Sequence, residues 1–172
     1  DNPKKLSEEA KAYLYDEGNP LDVKIALINA VGWDIDGLPT YSEYIEYCLG
    51  HFPKAKYGIP EDRLLTPEDL YAAASCEQMA VLVYLHAMAD YNDTESNYGF
   101  MELAMQTPLN TQSFMLPMGL IVAQTALVLD DWGNIYPAMD YYISSPAIKD
   151  MRPEAIRLVM EYIDGYKQYS NE

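Results

Sequence analysis

Three polar residues stand in the middle of otherwise apolar stretches: Asn29, His86 and Gln124. Each lies twelve residues before a tyrosine, Tyr41, Tyr98 or Tyr136, that opens an aromatic amphipathic segment. A buried polar group left unpaired costs about 1–3 kcal/mol, so three at matched positions are expected either to share a ladder or small polar cavity, or each to bond a neighbouring carbonyl or tyrosine hydroxyl and fix packing. The other groups able to do chemistry are sparser. His51 and His86 belong to no paired metal-ligand motif, and there is no G-x-S-x-G elbow, P-loop or C-x-x-C. Cys76, Glu77 and His86 contain a nucleophile and a base, but ten residues of unbroken helix separate Cys76 from His86 by about 15 Å. Glu8–Glu9 and Glu61–Asp62 are adjacent acids on surface-like segments. No catalytic residue, metal ligand or cofactor is therefore assigned, and the reading leans away from an enzyme.

A second constellation lies in three turns. They carry Trp33, Asp34, Asp36, Asp90, Asn92, Asp93, Asp130, Asp131, Trp132 and Asn134. An EF-hand needs acids at positions 1, 3 and 5, Gly at 6 and Glu at 12. Counted from Asp34, Gly37 comes too early; counted from Asp90, Glu95 and Met101 occupy positions 6 and 12. Tryptophan among carboxylates is instead the composition of a face that holds a cationic protein partner, the ring supplying area and the acids steering. The partner-binding candidates are Trp33, Asp34, Asp36, Asp90, Asp93, Asp130, Asp131 and Trp132. The competing use of these acids is capping and turn formation.

Helices must position both sets. Apolar segments Val23–Val31, Met79–Ala89 and Met118–Leu129 each precede an acidic turn and an aromatic helix. This predicts antiparallel hairpins at about 20–50, 77–107 and 114–145, flanked by helices at 7–16 and 153–168. The aligned tyrosines are 57 and 38 residues apart, and the longer interval holds the loop Gly50–Leu65 and one extra helix. A unit near 38 residues lies within the range of helical repeats, though the tetratricopeptide signature is absent. Ser7, Asn19-Pro20, Ser145-Pro146 and Pro153 read as helix starts, and Thr66-Pro67-Glu68-Asp69 combines cap, proline and acid. Thr40 with Glu43 fits a capping box. A break near Ser75 is the alternative to one helix from Thr66 to Ala89. Alternating strand patterns are absent. The expected fold is all-α, with about nine helices in a single domain over 1–172. Its hairpins stack as a short α-solenoid-like superhelix or form an irregular bundle.

Charge narrows the partners. The chain has 27 acidic and 11 basic residues, a formal net charge of −16. That excludes the clustered cations that bind nucleic acid and disfavours anionic membrane surfaces. The apolar run Leu116–Leu129 is too short to insert across a bilayer. Cys48 and Cys76 are expected as buried free thiols. Most of the sixteen tyrosines suit half-buried helix contacts, with Tyr47, off the stripe of its helix, expected to be exposed. The chain opens on Asp, so a removed leader or trimmed terminus stays open, and compartment and oligomeric state are not read. The expected function is non-catalytic binding of a protein or peptide, a basic one matching the charge. Two alternatives are an acidic inhibitor or immunity-type protein that neutralises a basic partner, and a helical enzyme or small-ligand binder using a pocket around Asn29, His86 and Gln124.

Overall fold

Two helices that are apolar on almost every side take the centre. In a computed structural model, which describes residues 4–34, 37–107 and 110–170, these are α5 (Cys76–Ala89) and α7 (Gln112–Val128). Every residue of α5 from Met79 to Ala89 is buried except the half-buried His86. A helix without a polar face must be covered all round. The elements that lie against α5 and α7 are α2 (Leu21–Val31), α3 (Pro39–Gly50), α6 (Thr94–Met105) and α8 (Trp132–Ile143), while α1 (Glu8–Tyr15) and α9 (Pro153–Met160) pack outside on α2 and α4 (Pro67–Ala73) on α3. Two 3-10 segments, Lys54–Tyr57 and Ile163–Tyr169, complete the described structure. The fold is all-α, with nine α-helices and no strand among the described residues. None of these helices is long and apolar enough to cross a membrane.

Of the three expected hairpins, the second and third pair as α5 with α6 and α7 with α8. In the first, α2 and α3 do not pair with each other: α3 lies mainly on α5, and α2 lies between α9 and α5. The fully apolar surface of α5 offers both of them more to cover than either offers the other. The α7–α8 pair is the closest. A Cβ on Gly119 would sit 2.9 Å from Tyr142 Cβ and 3.0 Å from Met139 Sδ, so only glycine lets the helices approach this far.

Local signals explain most helix starts. Ser7 accepts from the Ala10 N–H, and Ser75 from the Gln78 N–H, which sets the break between α4 and α5. Thr66 and Asp69 close a capping box at α4. At α3 the expected box does not form: the helix starts at Pro39, Thr40 lies inside it, and Glu43 pairs with Lys11 of α1 at 2.8 Å. Asn19 does not cap α2 either; its amide donates to the Tyr13 carbonyl. α7 starts well before Met118 and runs through Pro117. Its first turn is held by the link after α8, where Gln112 N donates to the Ile148 carbonyl and Ser113 N to Asp150 Oδ1. The expected helix over 153–168 stops at Met160 and continues as the 3-10 segment.

Asp22 fastens α9 to α2. It is 4% exposed, and its carboxylate accepts from Arg152 Nε at 2.6 Å and from the Arg152 backbone N–H at 3.2 Å. These bonds, chiefly those from the guanidinium, hold the Asp22 carboxyl below the usual range. A folded-state pKa below the unfolded one gives stability that is complete above the ordinary Asp range and lost as pH falls through the lowered value. The Arg152 side chain is about half exposed, so screening reduces the effect. Asp22→Asn is expected to cost about 1–2 kcal/mol near pH 7. In urea titrations at several pH values, the gap between parent and variant should begin to shrink near pH ~4 and close below it.

Candidate functional site

The first two turns meet. Beyond Gly32, which ends α2 with φ 81°, Asp34 N donates to the Met88 carbonyl at 2.9 Å, and Tyr91 N donates back to the Asp34 carbonyl at 3.0 Å. This pair of bonds brings the Trp33 and Tyr91 rings to 4.7 Å. α7 joins the arrangement through Gln124. Its amide nitrogen donates to the Ala87 carbonyl at 3.3 Å and, closely, to the Tyr91 carbonyl. The turn after α7 is bent sharply by Asp130, whose φ is 57°. It is closed by Asp131 N donating to the Ala126 carbonyl at 2.8 Å. From it α8 carries Trp132 against Tyr166 and Tyr169 of the C-terminal segment.

A cavity of about 330 Å³ opens between these parts. Trp33, Tyr91 and Tyr162 supply aromatic wall, and Asn29, Tyr84 and Gln124 supply the polar groups. Tyr84 donates to Asn29 Oδ1 at 2.8 Å, and Asn29 Nδ2 approaches the Leu158 carbonyl at 3.4 Å. Burial pushes the Tyr91 phenol up to about 12 and raises Tyr84 and Tyr162 as well. No side chain lining the cavity is charged at neutral pH, in a chain of net charge −16. Trp33 and Tyr162 of the lining are exposed, as are Val128 and Leu129, which follow the lining residue Leu127 in the chain. Such lining can hold a neutral body and hydrogen-bond it; it contains no Ser, Thr, Cys, His, Lys, Arg or carboxylate side chain.

Compared with protein-family models, curated proteins and solved structures, the chain has no match.

Of the three polar residues aligned on tyrosines, Asn29 and Gln124 line the cavity and His86 does not. His86 is a correction to the expected cluster. Tyr84 and Met88, two positions either side of it, face the cavity. Two residues turn an α-helix by about 200°, so His86 points to the opposite face. There it bonds Asn97 Oδ1 at 2.7 Å and sits between the Tyr41 and Phe100 rings, at 5.2 and 4.5 Å.

The turn acids separate by use. Asp34 pairs with Lys4 at 2.8 Å, Asp93 caps α6 by accepting from Ser96 N, and Asp131 accepts from the Asn134 amide. Asp90 ends α5, and its carbonyl accepts from the Asn97 amide. Asp130 is exposed at its turn, and Asp36 lies outside the described residues. Trp33 and Trp132 are 46% and 42% exposed, so neither is sealed in the core. Sequence reasoning missed Tyr84, Tyr91 and Tyr162. A tyrosine inside an apolar helix was the available signal for Tyr84; nothing local marks Tyr162, which arrives by the folding back of the C-terminal segment.

A larger cleft of about 770 Å³ lies at the other end of α5, near Gln78. Ten residues of helix, about 15 Å, separate Gln78 from Met88 at the first cavity. Several of its groups are engaged with one another. Tyr47, expected to be exposed, is half-buried, with Tyr15 at 4.3 Å and His51 at 4.1 Å between ring centroids. Lys11 is held by Glu43 and Glu8. Cys48 is buried, takes a bond from Gln78 at 3.4 Å, and its thiol is pushed up by burial; Cys76 is also free but only half-buried, against expectation. A raised thiol pKa leaves little thiolate to react. Among the described residues, no group of three His, Cys, Asp or Glu side chains is placed to hold a metal ion.

Proposed function

We propose that this domain is a non-catalytic protein- or peptide-binding module. It seats one neutral apolar or aromatic side chain of a basic partner in the cavity behind Trp33. The carrying observation is the Trp33–Tyr91 platform, which edges a 330 Å³ space with no charged lining in a strongly acidic chain. That volume lies at the lower end of the ~300–1,000 Å³ typical of ligand pockets, the scale of a side chain rather than a large cofactor. Exposed tryptophan and tyrosine beside a desolvated pocket are the usual anchors of an interface. The surrounding negative potential draws a cationic segment and sets its encounter rate.

The test uses the two-tryptophan composition of the chain. With Trp132→Phe as the parent, Trp33 is the sole indole reporter. Peptides with two lysines on each side of one apolar residue should shift its emission saturably, and binding should weaken as salt is raised. Trp33→Ala in the full chain should lose at least about tenfold in affinity by calorimetry. Equal affinity in that variant, or no saturable shift with any peptide of the set, would remove the reading.

A further inference from the structure

We infer that the side chain seated in this cavity is a tryptophan, recognised by its ring N–H as well as its area. The inference rests on the binding reading above and adds the chemistry of the anchor. Gln124 is 5% exposed and lines the cavity. Its amide nitrogen faces two carbonyls, those of Ala87 and Tyr91. That fixes which way the amide points, because the flipped form would set its oxygen against both carbonyl oxygens. Both amide hydrogens are therefore committed, and the Gln124 oxygen is left as an acceptor in the wall. Asn29 has the same polarity: its oxygen receives the Tyr84 hydroxyl and retains a second lone pair.

An occupant that fits must present a donor to these oxygens. It must also be neutral, because a lysine or arginine head would enter a wall without a compensating charge. It must carry a broad ring to cover the Trp33–Tyr91 surface, whose two rings lie 4.7 Å apart and tilted by 34°. The space, about 330 Å³, is on the scale of a large side chain such as an indole with its methylene. Phenylalanine and leucine fill less of it and leave the Gln124 oxygen unpaired. Tryptophan alone among the protein side chains joins a bicyclic apolar body to a single neutral N–H donor.

The deciding change is made in the ligand, so the protein stays intact. Three peptides are compared by calorimetry on the full chain. Each has two lysines on either side of a central residue, which is tryptophan, leucine, or the tryptophan isostere benzothienylalanine, where sulfur replaces N–H. The expected result is about tenfold tighter binding of the tryptophan peptide than of the isostere, with leucine no tighter than the isostere. Equal binding of tryptophan and isostere overturns the inference while leaving the binding reading standing. Saturable binding by none of the three overturns that reading, and this inference with it.

Discussion

Replacing Phe114 with alanine should remove about 3–5 kcal/mol of stability, the range for emptying an aromatic site in a closed core. Phe114 is fully buried in the first turn of α7. The cost depends on how far the surroundings collapse into the space. Here they are pinned from outside the helix. Gln112 N donates to the Ile148 carbonyl at 2.8 Å, Ile148 N donates to the Asn110 carbonyl at 3.0 Å, and Ser113 N donates to Asp150 Oδ1 at 2.9 Å. The Ser113 hydroxyl also bonds Asp150. A turn held at three points moves little, so the value belongs in the upper half of the range. Urea titration should show a lower midpoint with an unchanged slope, and the thermal midpoint should fall by roughly 10 °C. Phe114→Leu keeps most of the volume and should lose under about 1.5 kcal/mol. A loss below about 1 kcal/mol for Phe114→Ala would mean that this end of α7 is not the sealed layer described.

What the sequence shows of this fold is the part that local physics decides. Ser7, Ser75 and Thr66-Pro67 start helices because their caps satisfy N–H groups within three residues. The apolar character of α5 and α7 can be read because no arrangement of so many aliphatic side chains avoids the centre. Periodicity says which face is apolar, but not which element will cover it. Glu43 could have turned back to cap α3; its alternative, Lys11, lies 32 positions earlier and cannot be seen locally. Tyr47 falls off its own helix stripe, yet Tyr15 arrives from α1 to cover it.

The site divides the same way. Asn29 and Gln124 stand out because a polar side chain in an apolar helix needs a partner, and both end at one cavity. His86 meets the same criterion but lies on the far side of α5, a distinction that spacing from Tyr84 and Met88 contains and alignment on tyrosines does not. Tyr41 is the third residue of α3, whereas Tyr98 and Tyr136 are the fifth of α6 and α8. This register slip of two residues falls on the first hairpin, whose Asn29 still reaches the cavity. His86 and Gln124, aligned on tyrosines in equal register, face different ways; the position of the tyrosine does not fix which face of the preceding helix is turned inward. The C-terminal wall of the cavity depends on the stop at Met160, which lets Tyr162 and Ile163 turn inward.

The second large effect is expected at Gln124, where one side chain holds two turns of the chain to α7. Tyr91 N is drawn out of the α5 pattern to the Asp34 carbonyl, so the Ala87 carbonyl four residues earlier receives the Gln124 amide in its place. The Tyr91 carbonyl receives the same amide. Gln124→Leu matches the size but leaves both acceptors without that donor, at about 1–3 kcal/mol for a single orphaned buried group. A carbonyl tolerates the loss better than an N–H, and the two acceptors are neighbours in one turn, so the sum should be about 2–4 kcal/mol rather than twice the maximum. The loss should also be local before it is global. Native-state hydrogen exchange at the Asp34 and Tyr91 amides should accelerate more than at Leu82 or Val83 in the middle of α5, because the paired turns open while the helix stays covered. Uniform acceleration across α5 would show that Gln124 stabilises the whole core instead. No acceleration at Asp34 and Tyr91 would show that their mutual hydrogen bonds hold the turns without α7.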